Sequence, residues 1–210
     1  MSQADEKATL GSARGSIVDV ATVLLSPDAP RRREPTRPPE LRGPDFDAKF
    51  DATTLIFEAI LDEAGTRARI VAPPFFNLRA DIAGARIRAA STGAECAFQI
   101  RDLDRQNQIL VEVPAGEREL VLESALGRFP LRLSPARNDL FRGERVMLTM
   151  SKNNDLQWMT DWARFYRDVH GATAALVFDN GSTAYTPEEL LEALLGVEGL
   201  RRVVVVRWPF

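Results

Sequence analysis

The spacing of apolar and polar positions changes character along the 210 residues of this chain. Toward the carboxyl end, Val146-Met147-Leu148-Thr149-Met150 is an apolar run of strand length, closed by the polar loop Ser151-Lys152-Asn153-Asn154. From Asp155 to His170 the apolar residues Leu156, Met159, Trp162, Phe165, Tyr166 and Val169 recur every three or four positions, which predicts a helix with one continuous stripe, ended by Gly171. Ala174 to Phe178 predicts a second buried strand, opening into Asp179-Asn180-Gly181-Ser182-Thr183, where the Asn-Gly pair marks a turn. Thr186-Pro187-Glu188-Glu189 supplies an N-cap, a proline at the first helical position and two acids in the first turn. A second helix is therefore expected through Leu190 to about Val197, stopped by Gly199. Val203 to Val206 predicts a third strand with no wet face.

Strand, helix, strand, helix, strand is a double crossover unit over residues 145–210, and right-handed connections imply a parallel sheet, expected to be covered on both sides. Ligands of such sheets collect outside the carboxyl ends of the strands. The loops 151–154 and 179–183 both lie at that edge and are expected to be neighbours in space.

Upstream the pattern differs. Residues 46–144 break into short segments with turn signals between them: 54–60, 67–71, 85–90, 95–101, 108–113, 119–123 and 129–134. Arg86-Ile87-Arg88 and Leu131-Arg132-Leu133 alternate as half-buried strands do, and Asp62-Glu63-Ala64-Gly65 reads as a hairpin loop. This predicts a small antiparallel β-sandwich or barrel. Residues 1–45 hold six of the thirteen prolines and the run Arg31-Arg32-Arg33, with charges in balance, and are expected to form a solvated tail in which the apolar 17–25 could dock as a short strand or helix. The fold class expected is thus α/β plus all-β: an antiparallel sandwich followed by a partial parallel βαβαβ unit.

Composition narrows the chemistry. A net charge of −3 and only three lysines, with arginines scattered among acids, argue against nucleic acid as a partner. Cys96 and His170 are the single cysteine and histidine, which excludes an intrachain disulfide and any thiolate or multi-histidine metal centre. A metal would need oxygen ligands, as magnesium or manganese prefer. No run approaches the ~18 apolar residues of a membrane span, and residues 17–25 lack a signal-peptide cleavage site, so a cytoplasmic chain without a membrane span is expected. Asp45-Phe46-Asp47 and Asp102-Leu103-Asp104 have a spacing that can hold a divalent cation, but read more simply as paired surface charges; Phe75-Phe76 reads as a core anchor and Cys96 as a small buried side chain.

The two loops hold the most promising chemistry. Asp179, after a buried strand, can accept hydrogen bonds from a ligand's N–H or hydroxyl groups, and Asn180-Gly181-Ser182-Thr183 adds a close backbone and two hydroxyls, with Asn153 and Asn154 opposite. The set suits a nucleoside better than a bare phosphate, because no Gly-rich phosphate loop is present. The plainer alternative is that Asn154 or Asp155 caps a helix while Asp179 and Ser182 shape a turn.

Ser-Lys-Asn-Asn-Asp-Leu-Gln-Trp-Met-Thr-Asp-Trp-Ala-Arg-Phe-Tyr (151–166), His170-Gly171 and Val177-Phe178-Asp179-Asn180-Gly181-Ser182-Thr183 together resemble the opening of a GT-A fold glycosyltransferase. The likeness extends to the family 2 enzymes and to the family 92-like group with a lysine-asparagine loop, a tryptophan-bearing first helix and an aspartate-asparagine-x-serine turn. It covers about a third of the chain. The resemblance implies that Ser151, Lys152, Asn153, Asn154, Asp179, Asn180 and Ser182 surround the nucleoside of a nucleotide sugar, most simply a uridine diphosphate sugar, with Asp179 on the base. Asn154 stands where many relatives carry glutamate, and Ala184 where many carry an acid.

What the resemblance further implies is a Mg or Mn ion for the full-length enzyme, held by an Asp-x-Asp motif beyond the third strand, and a catalytic base further on. Neither lies in this chain, so its catalytic residues are unknown and it reads as an amino-terminal part or truncated form of a transferase. The expected activity is sugar transfer to a glycan acceptor in surface polysaccharide synthesis. The alternative is a non-catalytic carbohydrate- or protein-binding β module with a structural α/β appendage.

Overall fold

A computed structural model describes residues 14–210 except 27, 30 and 209. The chain divides into two compact units, Met1–Val20 with Arg137–Phe210, and Ala21–Ala136. In chain order, β1 (Gly15–Asp19) belongs to the first unit. The second unit contributes β2 (Val23–Leu24), the single-turn helix α1 (Phe46–Lys49), β3 (Thr54–Ile56), β4 (Glu58–Leu61), β5 (Arg67–Ala72), the short α2 (Arg79–Ala83) and β6 (Arg86–Ala89). It continues through β7 (Phe98–Asp102), β8 (Asn107–Glu112), β9 (Glu119–Ser124), β10 (Gly127–Arg132) and β11 (Ser134–Pro135). The chain then returns to the first unit with β12 (Val146–Ser151), α3 (Leu156–His170), β13 (Ala174–Asp179), α4 (Pro187–Leu195) and β14 (Arg202–Arg207). The class is α/β plus β, and no helix among the described residues is long and apolar enough to cross a membrane.

The second unit holds a five-stranded sheet, β11-β4-β5-β8-β7, a three-stranded sheet, β10-β9-β6, and the pair β2-β3. Alternation along the strands sends Ile70 and Ile109 of the larger sheet and Ile87, Leu120 and Leu122 of the smaller into one core. The β4–β5 hairpin turns where expected, with the Asp62 carboxylate accepting from the N–H groups of Thr66 and Arg67. Phe75 and Cys96 are buried in the core. The Asp-x-Asp pairs carry partners: Asp45 with Lys49, Asp47 with Arg42, and Asp102 with Arg79.

Within the segment expected as a solvated tail, the apolar residues 17–25 dock, an arrangement the sequence allowed, and part of the remainder is held by side-chain pairs. β1 pairs in parallel with β14, Gly15 opposite Val203 and Asp19 opposite Arg207, and Ile17 is buried. Gly15 lies close against α4, where a Cβ would stand 2.8 Å from a methyl of Leu195. Further along, Leu25 is buried in the β-rich core, and Arg33 is buried with its guanidinium donating to the Asp51 carboxylate at 2.9 Å and lying over the Phe50 ring. Arg31 pairs with Asp81, and Arg37 and Arg42 lie over the Phe46 ring. Charge pairing and cation–π contacts, rather than apolar burial, hold this proline-rich stretch. The expectation for residues 1–13 lies outside the described residues.

The double crossover forms as expected, with β12 parallel to β13 and β13 parallel to β14, and β1 extends the sheet to the order β1-β14-β13-β12. Asp155 caps α3, accepting from the N–H of Gln157 at 2.7 Å, and Gly171 closes it in the left-handed conformation. Thr186 and Glu189 form a reciprocal capping box on α4, which ends at Leu195 against Gly196, a turn before Gly199.

Two expectations about coverage are corrected. From β12 to β13 to β14 the chain steps in one direction, so right-handed crossovers lay both helices on the same face. That face buries Met147, Val177, Val203 and Val205 beneath Met159, Ala163, Leu190 and Leu194. At β12 the opposite face is not covered: Leu148 is 64% and Met150 55% exposed. The single stripe expected on α3 is also two. Met159, Thr160 and Ala163 face inward, whereas Phe165 and Val169 are exposed along with Trp158.

Two stability predictions follow from these placements. Ile17→Ala should destabilise the first unit by roughly 2–4 kcal/mol in urea unfolding, whereas a solvated tail would give a change near zero. Glu117 is buried and accepts from the N–H groups of Ser91, Arg118 and Glu119 and from the Ser91 hydroxyl. Burial pushes its carboxyl up, but these bonds outweigh burial and hold it at about 2. A carboxyl depressed on folding stabilises above its unfolded value and loses that contribution as pH falls toward 2. Glu117→Ala should therefore lower stability at pH 7 by about 2–4 kcal/mol, with the gap to the parent narrowing as melts are repeated from pH 4.5 downward.

Candidate functional site

Parallel pairing in register brings four strand ends into one row. Ser151 lies opposite Asp179, Asp179 opposite Arg207, and Arg207 opposite Asp19. The loops 151–154 and 179–185 leave this row side by side, as their positions after β12 and β13 require.

Asn153 ties the two loops together. Its backbone is left-handed, with φ of 55°, a conformation asparagine tolerates better than most residues. Its side-chain carbonyl accepts from the N–H groups of Thr183 at 2.7 Å and Ala184 at 2.9 Å, and its own N–H donates to the Ser182 hydroxyl at 2.9 Å. Asn154 donates through its amide to the Ser151 hydroxyl at 3.0 Å, and that hydroxyl lies 3.1 Å from the Tyr185 hydroxyl in a buried contact. Asn180 joins through its backbone, donating to the Ser151 carbonyl. Lys152 is exposed at the tip of the first loop.

Asp179 is the exception among these groups. It is 3% exposed, yet its Oδ1 has no hydrogen-bond partner, and its Oδ2 accepts a single long contact of 3.4 Å from the Ser182 N–H. An unsatisfied buried carboxylate oxygen costs on the order of 1–3 kcal/mol or more. The turn-shaping role of Asp179 and Ser182 and the capping role of Asp155 are both present, but neither engages the Oδ1 of Asp179.

All seven residues singled out from the sequence fall within this pair of loops. Ser151 and Asn153 are engaged in holding the loops, whereas Asp179 is buried with one carboxylate oxygen unpartnered. Sequence reasoning missed Tyr185, Arg207 and Asp19. Arg207 pairs with Asp19 at 2.9 Å and with Glu188, and these carboxylates raise its guanidinium further above its ordinary value, Asp19 most. Its signal was positional, since it closes a strand at the register of Asp179. Among the described residues no three of His, Cys, Asp and Glu cluster so as to hold a metal ion.

In the β-rich unit, a groove of about 590 Å³ is lined by Leu61, Asp62, Gly65, Gly116, Arg118 and Pro135 among others, without an aromatic ring. A smaller one of about 290 Å³ lies over Phe98, Arg101, Leu110 and Glu112.

No protein-family model matches the chain, and no curated protein does. Among solved structures, part of the chain is similar to a pullulanase complexed with maltotriose from Anoxybacillus sp. LM18-11, at 22% identity and a TM-score of 0.29, over 40% of this chain and 13% of that one. A likeness of that size carries no argument about fold or activity.

Asn153→Ala removes the two bonds its side-chain carbonyl accepts from backbone N–H groups and places alanine at a positive φ. It should cost about 1–3 kcal/mol and speed amide hydrogen exchange at Thr183 and Ala184, with β14 unchanged.

Proposed function

We propose that the carboxyl edge of the parallel sheet is a nucleoside site, the donor half of a glycosyltransferase that uses a uridine diphosphate sugar and a glycan acceptor. The observation that carries this reading is the buried Asp179 carboxylate with one oxygen left unpartnered, beside two interlocked polar loops. A carboxylate so placed selects a ligand that donates. The imide N–H of uracil meets that requirement, and the same ring position of cytosine, an acceptor, does not. The resemblance of residues 151–183 to the opening of GT-A transferases supports the same reading. In it, Asn153 and Ser182 hold the loop backbones, Asp179 orients the base, and Lys152 lies at the rim where a diphosphate would leave the site. The catalytic base and the metal that would stabilise the leaving diphosphate are not assigned to any residue of this chain.

Calorimetric titration tests it. Uridine diphosphate should bind more tightly than cytidine diphosphate, and Asp179→Asn should weaken uridine diphosphate by about tenfold or more, as loss of a charge-assisted bond implies. Equal affinity in parent and variant would remove the role of Asp179.

A further inference from the structure

β12 is the outermost strand of the parallel sheet, with β13 on one side and no strand among the described residues on the other. Its outer edge presents alternate backbone N–H and C=O groups. Sheets guard such edges with charges, prolines or bulges, and Val146-Met147-Leu148-Thr149-Met150 has none of them.

Both flanks of this edge are apolar. On the face away from the helices stand Leu148 and Met150, exposed as described above. On the helix face, α3 carries its second stripe: Trp158, Trp162, Phe165 and Val169 recur at i, i+4, i+7 and i+11, and Trp158 is 69%, Phe165 54% and Val169 59% exposed. Met159 and Ala163 mark the side of α3 turned to the sheet. Arg167 donates to the Glu198 carbonyl at 2.7 Å and so marks the flank turned to the loop after α4. At 3.6 residues per turn the aromatic stripe falls roughly opposite Arg167, outward over the β12 edge.

We infer that this flank is a self-association surface, and that its occupant is a second copy of the chain with β12 paired antiparallel to its counterpart. The two-fold axis runs perpendicular to the sheet at Leu148. Three features favour a copy. Residues 146, 148 and 150 share one face, so pairing Leu148 with its counterpart and Val146 with Met150 continues each face of one sheet into the same face of the other. A crossover helix lies above the two strands it joins, about 2.4 Å inward of β12 for strands 4.8 Å apart; the two α3 axes then stand about 10 Å apart, close to the ordinary helix-packing distance. Finally, with 150–250 Å² for a full aromatic side chain, the exposed apolar groups of the flank present on the order of 600 Å² before the strand edge is counted. A stable interface uses about 800 Å² per partner. The surface is isologous, as a two-fold requires.

Sedimentation of the full chain over a range of micromolar concentrations tests this. The parent should approach twice its 23.3 kDa mass. Leu148→Lys and, separately, Phe165→Glu should each raise the dimer dissociation constant by about tenfold or more. Both positions are exposed in the single copy, so circular dichroism should show both variants folded, and either one suffices if the other fails. As a measurement needing no variant, amide exchange at alternate residues of β12 should slow as parent concentration rises. A parent that stays at 23.3 kDa, leaving the edge to some other polypeptide, would overturn the proposal. So would a dimer indifferent to both substitutions.

Discussion

The parallel register of the first unit is the constraint on which everything else rests. Because β12, β13 and β14 pair without offset, Ser151, Asp179 and Arg207 end their strands at one level, and the loops that follow emerge together. A shift of β13 by one residue would turn Asp179 to the other face of the sheet and move Val177 out of the core beneath the helices. The valine-rich core under α3 and α4 therefore constrains the polar edge: keeping Val177 beneath the helices sends Asp179, two residues on, to that same face.

Energetically the edge combines two kinds of polar group. Asn153, Ser151, Tyr185 and Ser182 satisfy one another across the loops and stiffen them. Asp179, by contrast with these loop residues, is buried with one oxygen unpartnered. Stiff walls around one unsatisfied acceptor suit recognition of a donor on a flat heterocycle, since little ordering remains to be done on binding.

Much of this was legible in the sequence because it is local. The apolar runs at 146–150, 174–178 and 203–206, the Thr186-Pro187-Glu188-Glu189 cap and Gly171 each signal their element within a few residues. What could not be read depended on distant partners. The apolar 17–25 allowed a short docked strand or helix, but the partner of β1, Val203 to Arg207, lies nearly the whole chain away, so neither the pairing nor its parallel sense could be read locally. Arg33 is buried because Asp51 and Phe50 meet it, which no hydropathy pattern records. The two stripes of α3 overlap in the spacing of their residues and separate only once the position of α4 is known. Strand order decided the rest: residue periods gave the three crossover strands, but not that both helices would share a face.

The most direct test of the account is to follow backbone amide resonances of the chain as uridine diphosphate is added. Shifts confined to residues 151–154 and 179–183, saturating together, are predicted. Saturable shifts located instead in the β-rich unit of residues 21–136, with the strand ends silent, would contradict it.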